Sequence, residues 1–269
     1  MRLDGKVGIV TGAGGGIGAA LAARFVAEGM RVAVTDLDEA ALAATAERIS
    51  AGNADSVVAL AGDASATDHI VAVRDLAERT FGTPVDLYAA NAGVMGGREL
   101  GTPEQWATAW DVNVMAHVRA AEVMVPGWVE RGSGYFLATA SAAGLLTQIG
   151  SAIYSTTKHA AVGFAEWLSV TYGDQGVTVS CLCPMGVRTA MLTGGAESDN
   201  ALDRQSTRAV TEAGDVLEPD EVAEIVVAGL EAEQFLILPH PQVLEFFRRK
   251  ASDHDRWLAG MRRYQASLR

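Results

Sequence analysis

The chain has 269 residues, a formal net charge of −12, and 49% hydrophobic and 20% charged side chains. That balance excludes a disordered chain, and the acidity argues against nucleic acid and anionic membrane surfaces as partners. A chain of this length buries a large core, as one α/β domain or as two smaller ones.

Residues 1–6 run straight into an apolar strand. They lack the apolar region and small-residue cleavage site of a signal peptide, and no apolar run is long enough to span a bilayer, so the expected location is the cytoplasm. Short apolar runs at 7–10, 32–35, 57–60, 87–90, 135–138, 177–182 and 235–238 then alternate with segments of helical period. Those segments are 17–28, 39–49, 67–80, 103–130, 151–172 and 219–231. Continuous apolar runs suit strands buried on both faces. The expected fold class is α/β: a three-layer, Rossmann-type doubly wound sheet of about seven mainly parallel strands with helices on both faces. No linker or repeat divides the chain, which reads as a single domain over 1–269.

Two segments stand apart from the alternation. The polar stretch 192–215 reads as the least regular part, and 190–217 is expected to form a mobile lid over the carboxyl ends of the strands. Residues 242–269 carry Leu244, Phe247, Trp257, Leu258, Met261 and Tyr264 at roughly helical spacing, with Arg248, Arg249, Arg262 and Arg263 around them. This predicts an amphipathic basic helix that docks on its own or a neighbouring subunit rather than on a membrane. The two cysteines, Cys181 and Cys183, face one side of a strand and are expected to be buried, reduced thiols without a metal.

The first strand ends in Thr11-Gly12-Ala13-Gly14-Gly15-Gly16-Ile17-Gly18 and opens a helix. Glycines there permit a tight turn and let the backbone approach a pyrophosphate, which the helix N-terminus attracts. The next strand ends in Asp36. A carboxylate at that place accepts hydrogen bonds from ribose hydroxyls and repels a 2′-phosphate, and no Arg or Lys lies beside it. The expected cofactor is NAD rather than NADP.

Lys158 follows Tyr154 by four residues, so a helix places both on one face. A free tyrosine titrates near pH 10, and a nearby ammonium, with the positive nicotinamide ring, would lower that value and make a usable acid–base.

The order and spacing of Thr11-Gly12-x-x-x-Gly16-x-Gly18, Asp63, Asn91-Ala92-Gly93, Asn113, Ser141, Tyr154, Lys158, Pro184, Val187 and Thr189 resemble the short-chain dehydrogenase/reductase family, in its compact branch. The resemblance runs over about 6–189 and more weakly to 238. It implies that Tyr154 exchanges a proton with the substrate oxygen and that Ser141 holds that oxygen. It implies that Lys158 binds the nicotinamide ribose, and that Asn113 bends its helix and holds a relay water. Asp63, beside Ala64, would meet the adenine and Asn91 the adenosine side, while Val187 and Thr189 would contact the carboxamide. The family often dimerises through its two long helices, here about 103–130 and 151–172, so the resemblance implies a homodimer or homotetramer.

Two positions depart from the family pattern. Ala90 replaces an Asn before Asn91. Met185 replaces the Gly after Pro184, so Gly186 is expected to restore backbone freedom one position later; Met185 then leans into the site or is a tolerated packing change. Met95, Ala143, Leu145, Gln148, Met185 and Met191 are the candidate pocket residues, and their character favours an apolar alcohol or ketone. The expected function is NAD-dependent hydride transfer to or from a secondary alcohol or ketone. The rivals are a cofactor-retaining epimerase or dehydratase and an NAD-binding regulatory protein without turnover.

Overall fold

The structure, a computed structural model, describes residues 1–52 and 54–268. In chain order the main elements are β1 (Val7–Thr11), α1 (Gly16–Ala27), β2 (Arg31–Thr35), α2 (Glu39–Ser50), β3 (Val57–Ala59), α3 (Thr67–Phe81) and β4 (Leu87–Ala90). Then come α4 (Pro103–Trp110), α5 (Ala116–Arg131), β5 (Gly134–Thr139), α6 (Ala152–Tyr172) and β6 (Val177–Leu182). The last part holds β7 (Gly186–Val187), α7 (Ala190–Ala196), α8 (Ala201–Thr211), β8 (Val216–Leu217), α9 (Pro219–Glu231), β9 (Leu236–Ile237), α10 (Gln242–Ser252) and α11 (His254–Ser267).

Seven strands form one parallel sheet in the order β3-β2-β1-β4-β5-β6-β9, as the alternating pattern predicts. Each central strand feeds two cores. Val7 and Ile9 of β1 face a layer with Ile70 of α3, Ala120 of α5 and Ala161 of α6, whereas Val10 faces Leu21 of α1, Leu42 of α2 and Val226 of α9. Period-two alternation into two apolar layers is why the strands read as unbroken apolar runs. Strand order reverses between β1 and β4, so a crevice opens at their carboxyl ends, the place where such sheets bind ligands.

Two sequence expectations need correction. The stretch 192–215 is largely helical: Asn200 caps α8 by accepting from the Leu202 N–H at 2.9 Å, and Ser206 and Ala209 are buried on its inner face. The C-terminal segment is two helices, because Asp253 takes an extended conformation and its carboxylate caps α11 at the Arg256 N–H, 2.9 Å away. A second, two-stranded parallel sheet of β7 and β8, too short to show in any periodicity, seats the chain after β6. Between α4 and α5 the helix widens into a π-turn over Asp111–Met115. Cys181 and Cys183 are buried free thiols with Sγ atoms 3.8 Å apart. No helix among the described residues is long and apolar enough to cross a membrane.

Candidate active site

A cavity of about 680 Å³ lies at the carboxyl ends of the strands. Its cofactor side is built by close backbone approach. Thr11 Oγ1 accepts from the Asn91 and Ala92 N–H groups at 2.9 and 3.0 Å, and the Asn91 side-chain amide donates to the Thr11 carbonyl at 3.0 Å. This ties β1 to β4 at the strand-order reversal. A Cβ on Gly18 would sit 2.1 Å from the Gly12 carbonyl oxygen, and one on Gly12, at φ +66°, would sit 2.9 Å from the Ala92 Cα. Gly15 faces open space and no side chain caps α1, so the first N–H groups of that helix are offered to the cavity that Gly12, Gly15, Gly16 and Ile17 line. The cradle fits a dinucleotide pyrophosphate.

Asp36 lines the same cavity. Its Oδ2 accepts from the Gly14 N–H at 2.8 Å and its Oδ1 from the Asp38 N–H at 3.0 Å, which fixes the carboxylate and leaves further lone pairs free. Among the described residues no cation pairs with it. Gly14 and Gly18 do not line the cavity. Asp63 and Ala64 do not line the cavity: the Asp63 carboxylate accepts from the Ser65 N–H and lies 2.8 Å from its hydroxyl, turning into the start of α3.

Ser141, Tyr154 and Lys158 share the opposite wall. Ser151 caps α6 by accepting from the Tyr154 N–H at 3.1 Å, which sets the first turn. Gly144 lets α6 come close, since a Cβ there would lie 2.5 Å from the Lys158 carbonyl oxygen. The Ser141 hydroxyl accepts from the Ala143 N–H at 3.1 Å and lies 3.4 Å from the Pro184 carbonyl. Lys158 is buried, donates to the Thr139 carbonyl at 3.0 Å, and passes 5.7 Å from the Tyr154 ring centre. Asn113, in the π-turn, is buried with its amide fully engaged. It accepts from the Val94 N–H at 2.9 Å and donates to the Val94 carbonyl and to Thr157 Oγ1 at 2.9 and 3.0 Å. Its side chain thus ties the segment after β4 to α6.

Burial pushes the Tyr154 phenol above its ordinary value, and the Ser141 hydroxyl opposes this. Burial pulls Lys158 down to about 8, against a pull upward from Cys183 and Cys181. Among the chain's own groups desolvation is the larger effect at Tyr154, so the expected lowering of the phenol falls to the positive nicotinamide ring together with Lys158.

Of the other sequence candidates, Met95, Ala143, Gln148, Met185, Met191, Val187 and Thr189 line the cavity. Leu145 does not; it is buried in the core beside α6. Gln148 Nε2 faces α8, donating toward Ser206 Oγ at 3.0 Å and the Ile149 carbonyl at 3.1 Å. Gly186 supplies no left-handed freedom, because it pairs in β7 with Val216 and its φ is outside the positive region. Met185 instead lines the site, held by His240. The His240 Nδ1 accepts from the Met185 N–H and its Nε2–H donates to the Gly186 carbonyl, both at 3.1 Å. Sequence reasoning missed His240, whose only signal was a lone histidine between Pro239 and Pro241. It also missed that Phe246, Trp257, Met261 and Tyr264 of α10 and α11 reach the cavity.

A family model described as short chain dehydrogenase matches residues 6–200. A 1-deoxy-11-beta-hydroxypentalenate dehydrogenase of Streptomyces avermitilis is 34% identical over 246 residues, covering 88% of this chain and 85% of that protein. Among solved structures, a short chain dehydrogenase/reductase from Burkholderia phymatum in complex with NAD is 32% identical. It has a TM-score of 0.84 and covers 95% of this chain and 96% of that one. A short-chain dehydrogenase from Sphingobium yanoikuyae in complex with NADPH is 26% identical, with a TM-score of 0.76 and 93% of both chains covered.

Proposed function

The chain belongs to the short-chain dehydrogenase/reductase family, and on that premise we propose that it transfers a hydride between NAD and an apolar secondary alcohol or its ketone. One observation carries this reading: Ser141, Tyr154 and Lys158 face, across a single cavity, a glycine cradle that ends at an unpaired Asp36. The hydroxy-compound dehydrogenase among the relatives supports a carbinol substrate. The neighbours bind NAD in one case and NADPH in another, so the choice of NAD rests on Asp36.

Gly12, Gly15, Gly16, Ile17, Asp36, Asn91, Val187 and Thr189 would hold the dinucleotide, which supplies the hydride acceptor or donor. The residues of the chain handle the oxygen and its proton. In reduction, the Tyr154 hydroxyl donates its proton to the substrate oxygen, which Ser141 positions. The Lys158 ammonium supplies the positive charge that stabilises the phenolate until a proton from solvent restores the phenol. In oxidation the same proton moves the other way. Asn113 is a positioning residue, acting through Val94 and Thr157. The exposed aliphatic and aromatic face of α6 at Trp167 and Val170 is read as the contact with a second copy.

Initial rates on secondary alcohols with NAD and with NADP test this. Turnover is expected with kcat/KM strongly favouring NAD, and Tyr154→Phe is expected to remove it while NAD still binds. Equal use of NADP, or appreciable activity in Tyr154→Phe, would overturn the assignment.

A further inference from the structure

The proposed chemistry leaves α10 and α11 unused, yet both reach the cavity. Phe246 projects from α10 and Trp257, Met261 and Tyr264 from α11, all half-buried and all lining the space that Tyr154 faces. The Phe246 and Trp257 rings pack together with centres 6.3 Å apart. The helices are anchored to the active-site frame. The Lys250 ammonium donates to the Leu145 and Leu146 carbonyls at 2.7 and 2.9 Å, and the Tyr264 hydroxyl donates to the Ala209 carbonyl of α8 at 3.0 Å. One anchor thus ties α10 to the loop after Ser141, and another ties α11 to α8.

We infer that α10 and α11 form the far wall of the substrate site and select an uncharged carbinol or ketone carried on a bulky, multi-ring apolar body. This rests on the function proposed above. A small alcohol that reaches Tyr154 and Ser141 leaves this aromatic wall in water, whereas a body wide enough to cover both helices removes it. The two charged side chains that line the wall's rim are already matched. Arg249 pairs with Glu245, and Glu212 pairs with Arg208 at 2.8 Å. The rim therefore offers no free charge to a carboxylate, phosphate or nucleotide-bearing thioester.

The test is a ladder of alcohols, cyclohexanol and decahydro-2-naphthol, assayed with NAD on the full chain. The second ring adds four carbons, so kcat/KM is expected to rise about 100-fold, from roughly 0.8 kcal/mol per buried CH₂. Trp257→Ala and Phe246→Ala are each expected to cut that ratio at least tenfold. Arg262→Ala, on the exposed face of α11, leaves it unchanged. A flat ladder, a ratio insensitive to both wall variants, or better turnover of acetoacetyl-CoA than of 2-decalone with NADH would overturn the proposal. Calorimetry of 2-decalone with the protein and NADH separates the two readings. Binding that weakens tenfold in both wall variants supports the wall even where no alcohol turns over, an outcome that would sink the hydride-transfer reading instead. Binding that neither variant affects overturns the wall.

Discussion

The molecule divides at Pro184 into two regions held by different means. Before it, the groups that face the cavity are fixed by backbone packing and by buried polar side chains with short, multiple hydrogen bonds: Asn91 and Thr11 across β1 and β4, Asn113 across to α6, Lys158 to Thr139. After it, α9 and β9 still belong to the sheet and its core, but the rest is two-residue strands and helices held by latches, many of them exposed. Arg98 grips Asp203 through two hydrogen bonds of 2.5 and 2.6 Å, Gln148 reaches Ser206, and Tyr264 reaches Ala209. Under the proposed function, the contrast assigns chemistry to the first region and selectivity to the second. Groups that exchange a proton and a hydride need positions fixed to a fraction of an ångström, which a sheet supplies. A wall that fits a substrate must open to admit it, and weak latches allow that.

The comparison breaks most readily at the cradle. Gly18→Ala places a methyl against the Gly12 carbonyl, a contact no flexible side chain can relieve. NAD affinity, measured by calorimetry, is expected to fall by at least 100-fold, while Gly163→Ala, whose Cβ meets open space on α6, leaves it within twofold. If Gly18→Ala binds NAD normally, the first region is less rigid than its packing implies.

A second effect comes from Lys158. Its ammonium is held down to about 8, and reduction needs both that ammonium and the Tyr154 proton. The sign follows directly: raising the pH removes the charge, so kcat/KM for ketone reduction falls above pH 8, about tenfold per unit for a single required proton. A profile flat to pH 10 would show that Lys158 keeps its proton and that burial is less severe than the geometry indicates.

His117 sharpens the comparison from the side of stability. It is buried one turn after Asn113, edge-on to Phe136, and neither ring nitrogen has a protein partner. Burial first, and the Lys158 charge second, bring it down to about 3. The folded value lies below the unfolded value near 6.5, so the unfolded chain binds the proton first as the pH falls. The native state therefore loses roughly 1.4 kcal/mol per pH unit between about 6.5 and 3. His117→Phe is expected to flatten the dependence of Tm on pH between 7 and 5. An equal slope in the variant would mean that another group carries the acid sensitivity.

How far the sequence could be read follows the same division. The glycine loop and Asp36 stood out because each meets a local demand, a close approach and a strand end, whereas Ser141, Tyr154 and Lys158 took their roles from the family resemblance. The seven strands were legible because burial on both faces leaves an unbroken apolar run. The lid helices were not, because α8 buries only a narrow face and the rest of it is polar. His240 was invisible because its role depends on where Met185 lies in space, 55 positions away. The turn of Phe246 and Trp257 into the cavity depends on the break at Asp253, where a cap and a helix interior look alike in one sequence.

The smallest expected effect tests the second region at its latch. Gln148 lines the cavity, and as a substrate contact it would offer its amide to the bound oxygen or body. Its Nε2 instead lies within hydrogen-bond reach of Ser206 Oγ, the Ser206 carbonyl and the Ile149 carbonyl, and Ser206 Oγ also donates to the Ile149 carbonyl at 2.8 Å. Those bonds join α8 to the loop that precedes α6. Loosening them should let the lid rest open, so more of the substrate's binding energy goes into closing it and KM rises. Gln148→Leu is expected to raise KM about fivefold, equivalent to roughly 1 kcal/mol and the ordinary worth of one hydrogen bond. NAD affinity, set in the first region, stays within twofold. Ser206→Ala should give the same change, and the double variant should add little, because both remove one latch. Additive effects, or a loss in kcat confined to Gln148→Leu, would make Gln148 a substrate contact and place part of the selectivity on the rigid side of Pro184.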